Sequence, residues 1–159
     1  MQFAEYAASR VDSLLRLAHL LSGDRQLAED LVQDVLIKSH RRWSRVQAAD
    51  NPDAYVRRML GNEHISWLRR RSSTELTMDR VAESADADRL ADGVAARDRI
   101  WRMLAGLPSR QRAVLVLRHY EHQDDREIAA LIGCADATVR SLAARGIAAL
   151  RKHPDLSGA

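Results

Sequence analysis

The stretch Asp124 to Gly146, "DDREIAALIGCADATVRSLAARG", constrains the fold of this chain more than any other. Asp124 followed by Glu127 has the spacing of a capping box, in which each side chain accepts from the other residue's backbone N–H, so a helix starts there. Ile128, Leu131 and Ile132 supply its apolar side. Ala129 is small where two helices must cross closely, Gly133 stands where the backbone turns left-handed, and Val139 plugs the crossing. Those are the demanding positions of a helix-turn-helix, whose second helix enters the major groove of DNA. Arg140, Ser141 and Arg145 lie along that second helix. An arginine there can fork onto guanine or hold a phosphate, and the spacing does not choose between them. An ordinary helical hairpin is the plainer alternative. Cys134 falls in the turn as a small hydrophobe.

The rest of the chain also reads as helix. Only 7 Gly and 3 Pro occur in 159 residues, and apolar residues recur three and four apart. A first helix is expected from about Phe3 to Leu21, burying Val11, Leu14, Leu17, Ala18 and Leu21 and ending at Ser22–Gly23. A second runs from about Asp24 to Trp43, with Leu27, Leu31 and Val35 inward. The tract "SRVQAADN" reads as a loop. Asn51–Pro52 opens a third helix, with an N-cap side chain and then a proline whose missing N–H costs nothing at the first position. It carries Tyr55, Val56, Met59, Leu60 and Trp67 to about Arg71. Periodicity lapses from Ser72 to about Ala87 and returns with Leu90, Val94, Trp101 and Leu104. Leu107–Pro108 stops that helix, and another spans Ser109 to about Tyr120. The expected fold is therefore all-α: two small helical bundles, residues 1–73 and 90–153, joined by a flexible acidic linker at 74–89.

Charge follows the same division. The formal net charge is only +3, but it is carried by two basic blocks flanking an acidic middle, a distribution that suits polyanion partners. The basic helix "YVRRMLGNEHISWLRRRSS" combines Arg57, Arg58, Arg69, Arg70 and Arg71 with Tyr55 and Trp67. Arginines pair phosphate and aromatic rings stack on unstacked bases, so this helix suits single-stranded or distorted DNA. In "DRQLAEDLVQDVLIKSHRRW", Glu29, Asp30 and Asp34 form an acidic rim beside Gln33, suited to an oriented basic partner. Acidic residues Asp79, Glu83, Asp86 and Asp88 in the middle segment are candidates to compete with DNA for the basic faces.

Other classes are excluded by what the sequence lacks. There is no apolar run of about 18 residues for a membrane span and no secretion-signal pattern at the N-terminus, so a cytoplasmic protein is expected. One cysteine makes no disulfide framework. The six histidines are scattered; His119 and His122 are three apart but lack further ligands, so no metal or other cofactor is expected. No phosphate loop or nucleophile arrangement points to an enzyme.

In this order the motifs resemble the extracytoplasmic-function sigma factors of bacterial RNA polymerase, from about Tyr6 to Arg151. "AEDLVQDVL" is similar to the family's core-binding segment, "NPDAYVRRMLGNEHISWLRRR" to its promoter-melting and minus-ten-reading segment, and "LPSRQRAVLVLRHYEHQDDREIAALIGCADATVRS" to its minus-thirty-five-reading domain. The resemblance implies that Asp30, Leu31, Gln33 and Asp34 meet the polymerase core. It implies that Asn62 reads a flipped minus-ten base among Tyr55, Arg57, Arg58, Trp67, Arg69, Arg70 and Arg71. Arg126, Thr138, Arg140, Ser141 and Arg145 would approach the minus-thirty-five element, and an anti-sigma factor is an implied partner. Leu142 stands where many relatives carry a basic residue, Ala135 where a capping Ser is usual, and Gly146 is expected to weaken the recognition helix. The competing expectation is a stand-alone helix-turn-helix regulator acting as a dimer on a two-fold site.

Overall fold

The computed structural model describes residues 1–74 and 95–153, and among these every regular element is helical. Helix α1 (Phe3–Ser22) buries Leu14, Leu17, Ala18 and Leu21, while Val11 is half-buried. Gly23 closes it in the left-handed region, at φ 68°, and its N–H donates to the His19 carbonyl at 2.8 Å. Helix α2 (Arg25–Arg41) is capped by Asp24, whose Oδ1 accepts from the Leu27 N–H at 3.1 Å. It stops two residues before Trp43, and the expected loop begins instead with a short helix, α3 (Trp43–Ala48). Val46 explains the difference: it is fully buried, and one turn of helix lets it reach the core while its N–H is satisfied by the Arg42 carbonyl. Trp43 turns back onto Phe3 and Tyr6, and its Nε1–H donates to the Met1 carbonyl.

Helix α4 (Pro52–Thr74) begins as expected, with Asn51 Oδ1 accepting from the Ala54 N–H at 3.1 Å. Its backbone continues to Thr74, past the point where apolar periodicity ceases. Val56, Leu60, His64, Ile65 and Leu68 form its buried stripe. Helices α1, α2 and α4 pack on one another as the N-terminal bundle, with α3 against α4. Of the linker expected at 74–89, Thr74 ends α4; the rest of it and the periodic residues Leu90 and Val94 lie outside the described residues.

The C-terminal half comprises α5 (Ala95–Ala105), α6 (Ser109–Leu115), a π-helical turn over Val116–Tyr120, α7 (Asp125–Ile132) and α8 (Asp136–Arg151). The single helix expected over 109–120 thus changes its winding after Leu115, and the Glu121 N–H reaches back five residues to the Val116 carbonyl at 3.1 Å. Helix α6 lies between α1 and α8, so Arg112 to Leu117 are all buried in succession.

The two halves share one apolar core. Arg112 fastens the junction: it is 1% exposed, and its Nε and Nη2 donate to the Leu21 and Ser22 carbonyls of α1, each at 2.9 Å. Its Nη1 donates to the Leu107 carbonyl at 3.1 Å and, longer at 3.4 Å, to that of Ala105. The last carbonyls of a helix have no partner within it and carry the negative end of its dipole. A guanidinium fork satisfies several at once, which offsets the cost of burying its charge. Trp101 adds an apolar contact at the same seam, stacked on His19 with ring centroids 5.0 Å apart.

Candidate nucleic-acid interface

The helix-turn-helix is built as its spacing requires. Asp124 accepts from the Glu127 N–H at 2.8 Å, and Glu127 Oε1 accepts in return from the Asp124 N–H. Gly133 is left-handed at φ 84°, and Ala129 and Val139 are buried at the crossing. Ala135 has the extended backbone of an N-cap but no side chain to fill that role, and Asp136 supplies the first-turn negative charge of α8. On α8 the exposed face carries Thr138, Arg140, Ser141 and Arg145; Arg126 is exposed on α7.

Two residues have another reason to be there. Leu142 is 8% exposed on the inward face, so in this chain the position packs rather than contacts phosphate. Gly146 is buried, and a Cβ there would stand 2.8 Å from Leu115 Cδ1. The glycine that costs helix propensity is what lets α8 approach α6. Cys134 is half-buried beside the core.

On α2, Asp30, Gln33 and Asp34 face solvent, whereas Leu31 is 3% exposed and holds the helix to the core instead of offering a contact. Ile37, 46% exposed, lies within one turn of Gln33 and Asp34. Its signal in the sequence was an aliphatic residue out of register with the buried stripe.

Helix α4 carries the basic face. Asn62 is exposed and, with Asn51, Tyr55, Arg58 and Met59, lines a mixed polar and apolar concavity of about 490 Å³. Asn51 thus brings the start of α4 to Asn62 two turns further on. Arg70 is exposed, and the Arg71 guanidinium lies 5.0 Å from the centre of the half-buried Trp67 ring. The other three arginines turn toward the C-terminal half. Arg57 donates through Nε and Nη2 to both carboxylate oxygens of Glu121, with Nε at 3.0 and 3.1 Å. Arg58 Nη2 donates to Glu127 Oε2 at 3.2 Å, and Arg69 Nη2 to the Leu131 carbonyl at 2.6 Å. Spacing along one helix could not reveal these contacts, because the acceptors are 62 to 69 residues away.

The family models that match are sigma-70 region 2, over residues 8–74, and sigma-70 region 4, over residues 97–150. The chain is 36% identical over 153 residues to the RNA polymerase sigma-E factor of Streptomyces coelicolor, covering 96% of this chain and 86% of that one. The chain belongs to the extracytoplasmic-function sigma factors of bacterial RNA polymerase. It is 28% identical over 140 residues to the sigma factor SigM of Mycobacterium tuberculosis, covering 87% of this chain and 70% of that protein. Among solved structures it is similar to the sigma factor RpoE of Bartonella quintana, crystallised with the anti-sigma factor NepR, at a TM-score of 0.59 and 25% identity over 94% of each chain. This sigma factor therefore acts with polymerase core in promoter-specific initiation, and its family is not enzymatic in general. Among the described residues, no helix is long and apolar enough to cross a membrane.

Proposed function

We propose that this sigma factor divides its work among three faces. Asp30, Gln33 and Asp34 on α2, with Ile37 beside them, dock on polymerase core, and Leu31 keeps that helix in place. Asn62 and the concavity it shares with Tyr55 and Arg58 receive an extruded minus-ten base. Arg57, Arg69, Arg70 and Arg71 hold the flanking phosphates, and Trp67 offers a stacking surface. Extrusion costs a few kcal/mol of unstacking, which such a pocket has to offset. Arg140, Ser141 and Arg145, with Thr138 and Arg126, approach the minus-thirty-five element. The observation that carries this reading is that regions 2 and 4 follow one another in one chain, with the exposed polar residues on the helices inside them.

A sparse reader on α8 suffices in such a protein, because two linked modules engage at high effective concentration and core supplies further affinity. The solved complex of a similar sigma factor with an anti-sigma factor supports an anti-sigma partner here too. Work on the chromosome with polymerase places the protein in the cytoplasm, acting without chemistry of its own. Two sigma regions in one chain argue against a stand-alone dimeric regulator.

The test is run-off transcription with purified bacterial core on pooled promoter fragments, comparing the native chain with Gln33→Ala/Asp34→Ala. Promoter-specific transcripts that weaken in the variant are the expected result. No core association and no transcripts at low salt would remove the reading.

A further inference from the structure

The concavity that holds Asn62 has a wall facing α2. Met59 and Glu63 stand one turn apart on α4, and both meet that helix. Met59 Sδ accepts from the fully buried Ser39 hydroxyl at 3.8 Å, and the Glu63 carboxylate pairs with the Lys38 ammonium. On the α2 side, Asp34, Lys38 and Arg42 are spaced four apart and so form one row, Arg42 at its C-terminal end. The row begins on the face proposed to dock on core and ends at Arg42, which lines the concavity with Arg58. Lys38 stands between the two. Glu63 is the odd charge in this setting. The charged residues lining the concavity are arginines, and an extruded base arrives there attached to phosphates. Glu63 is the immediate neighbour of Asn62, and its side chain is 16% exposed, so solvent screens it weakly. Left unpaired, that carboxylate would repel the phosphates on either side of the base. Lys38, 47% exposed, reaches across from α2 and cancels it. A half-exposed ion pair adds little to stability, whereas a bare charge beside a polyanion acts over several ångströms.

We infer that Lys38 is a positioning residue for minus-ten reading: it holds the Glu63 carboxylate against α2 and so keeps negative charge away from the mouth of the concavity. This role rests on the proposed reception of an extruded base at Asn62. It gives α2 two tasks, docking on core through its middle turns and preparing the base-reading face of α4 through its last.

Two substitutions separate this role from a direct contact. Lys38→Met keeps the aliphatic stem and removes the charge, leaving Glu63 bare. Lys38→Met/Glu63→Gln removes the bare charge as well. Each full-length chain is assembled with purified core, beside the native chain. The probe is a labelled promoter fragment that the native chain transcribes, with its minus-ten segment left unpaired, and affinity is read by anisotropy. Association with core in the absence of DNA and the Tm of the free chain are measured in parallel. Lys38→Met should bind the fragment about fivefold more weakly than the native chain at low salt, the gap narrowing as salt rises. The double variant should recover to within about twofold, with core association and Tm alike in all three. A double variant as weak as Lys38→Met would overturn the inference, because Lys38 would then touch phosphate itself. Equal binding by Lys38→Met and the native chain would overturn it too, as would a matching loss of core association or of Tm in Lys38→Met. Asn62→Ala on the same fragment tests the function reading separately. Unweakened binding there, or no transcribed fragment at all, removes the base-receiving role and with it that of Lys38. Weakened binding there beside an unrescued double variant removes only the role of Lys38.

Discussion

His64 offers a test of the packing that needs no DNA. It lies on the buried stripe of α4, fully enclosed, and among the described residues neither ring nitrogen has a hydrogen-bond partner. Burial, reinforced by the nearby Arg112 guanidinium, pushes its pKa down from the ordinary 6.5 to about 3. The folded chain therefore keeps the ring neutral at pH values where the unfolded chain protonates it. Below pH 6.5 the unfolded state binds the extra proton and stability falls as pH falls, until the folded value is reached near 3. Those two values give a loss of about 1.4 kcal/mol at pH 5.5 and about 2 kcal/mol at pH 5.0 from this one group. Against a typical total of roughly 5–15 kcal/mol, that is measurable. Urea denaturation of the native chain and of His64→Leu at pH 7.5 and 5.5, followed by circular dichroism, isolates the contribution. Other groups titrate equally in both proteins, so the native chain should lose about 1.4 kcal/mol more than the variant over that interval. Equal losses would refute the reasoning, because the ring would then take its proton without unfolding.

Two further substitutions test how α8 is held. Ala135 already has N-cap backbone angles, φ −79° and ψ 155°, so Ala135→Ser should add the missing cap and raise stability by about 0.5–1 kcal/mol, read as a higher Tm; an unchanged Tm would mean that Asp136 or solvent already satisfies those N–H groups. Gly146→Ala should lower stability by about 1 kcal/mol despite the better helix propensity of alanine, since the Cβ meets Leu115 at 2.8 Å in a packed core. A stabilised Gly146→Ala would show that α6 and α8 have room to part.

The helix-turn-helix was legible because its constraints are local. A capping box, a left-handed glycine and small residues at a crossing are dictated within a few residues, and Asp124, Gly133, Ala129 and Val139 all serve as the spacing requires. The cap at Asn51 and the stop at Gly23 were legible for the same reason. The short helix α3 was not, because its formation depends on Val46 finding a fully buried place that only the assembled bundle supplies. Leu31, Leu142 and Gly146 were misweighted likewise: position along a motif cannot distinguish a residue facing a partner from one facing the core.

By itself, then, the sequence determined the helical class, the order of the two halves and the types of residue available to meet polymerase and promoter. Those follow from periodicity, local capping and composition. Only the tertiary structure decided which arginines face solvent and which are held. Arg57 grips both carboxylate oxygens of Glu121, and Arg112, indistinguishable in sequence from any surface arginine, fastens α1 to the C-terminal half. The physical reason is range: helix start, stop and amphipathicity depend on neighbours within about one turn. The fate of a long charged side chain depends instead on whichever carboxylate or carbonyl the folded chain brings within 3 Å of it.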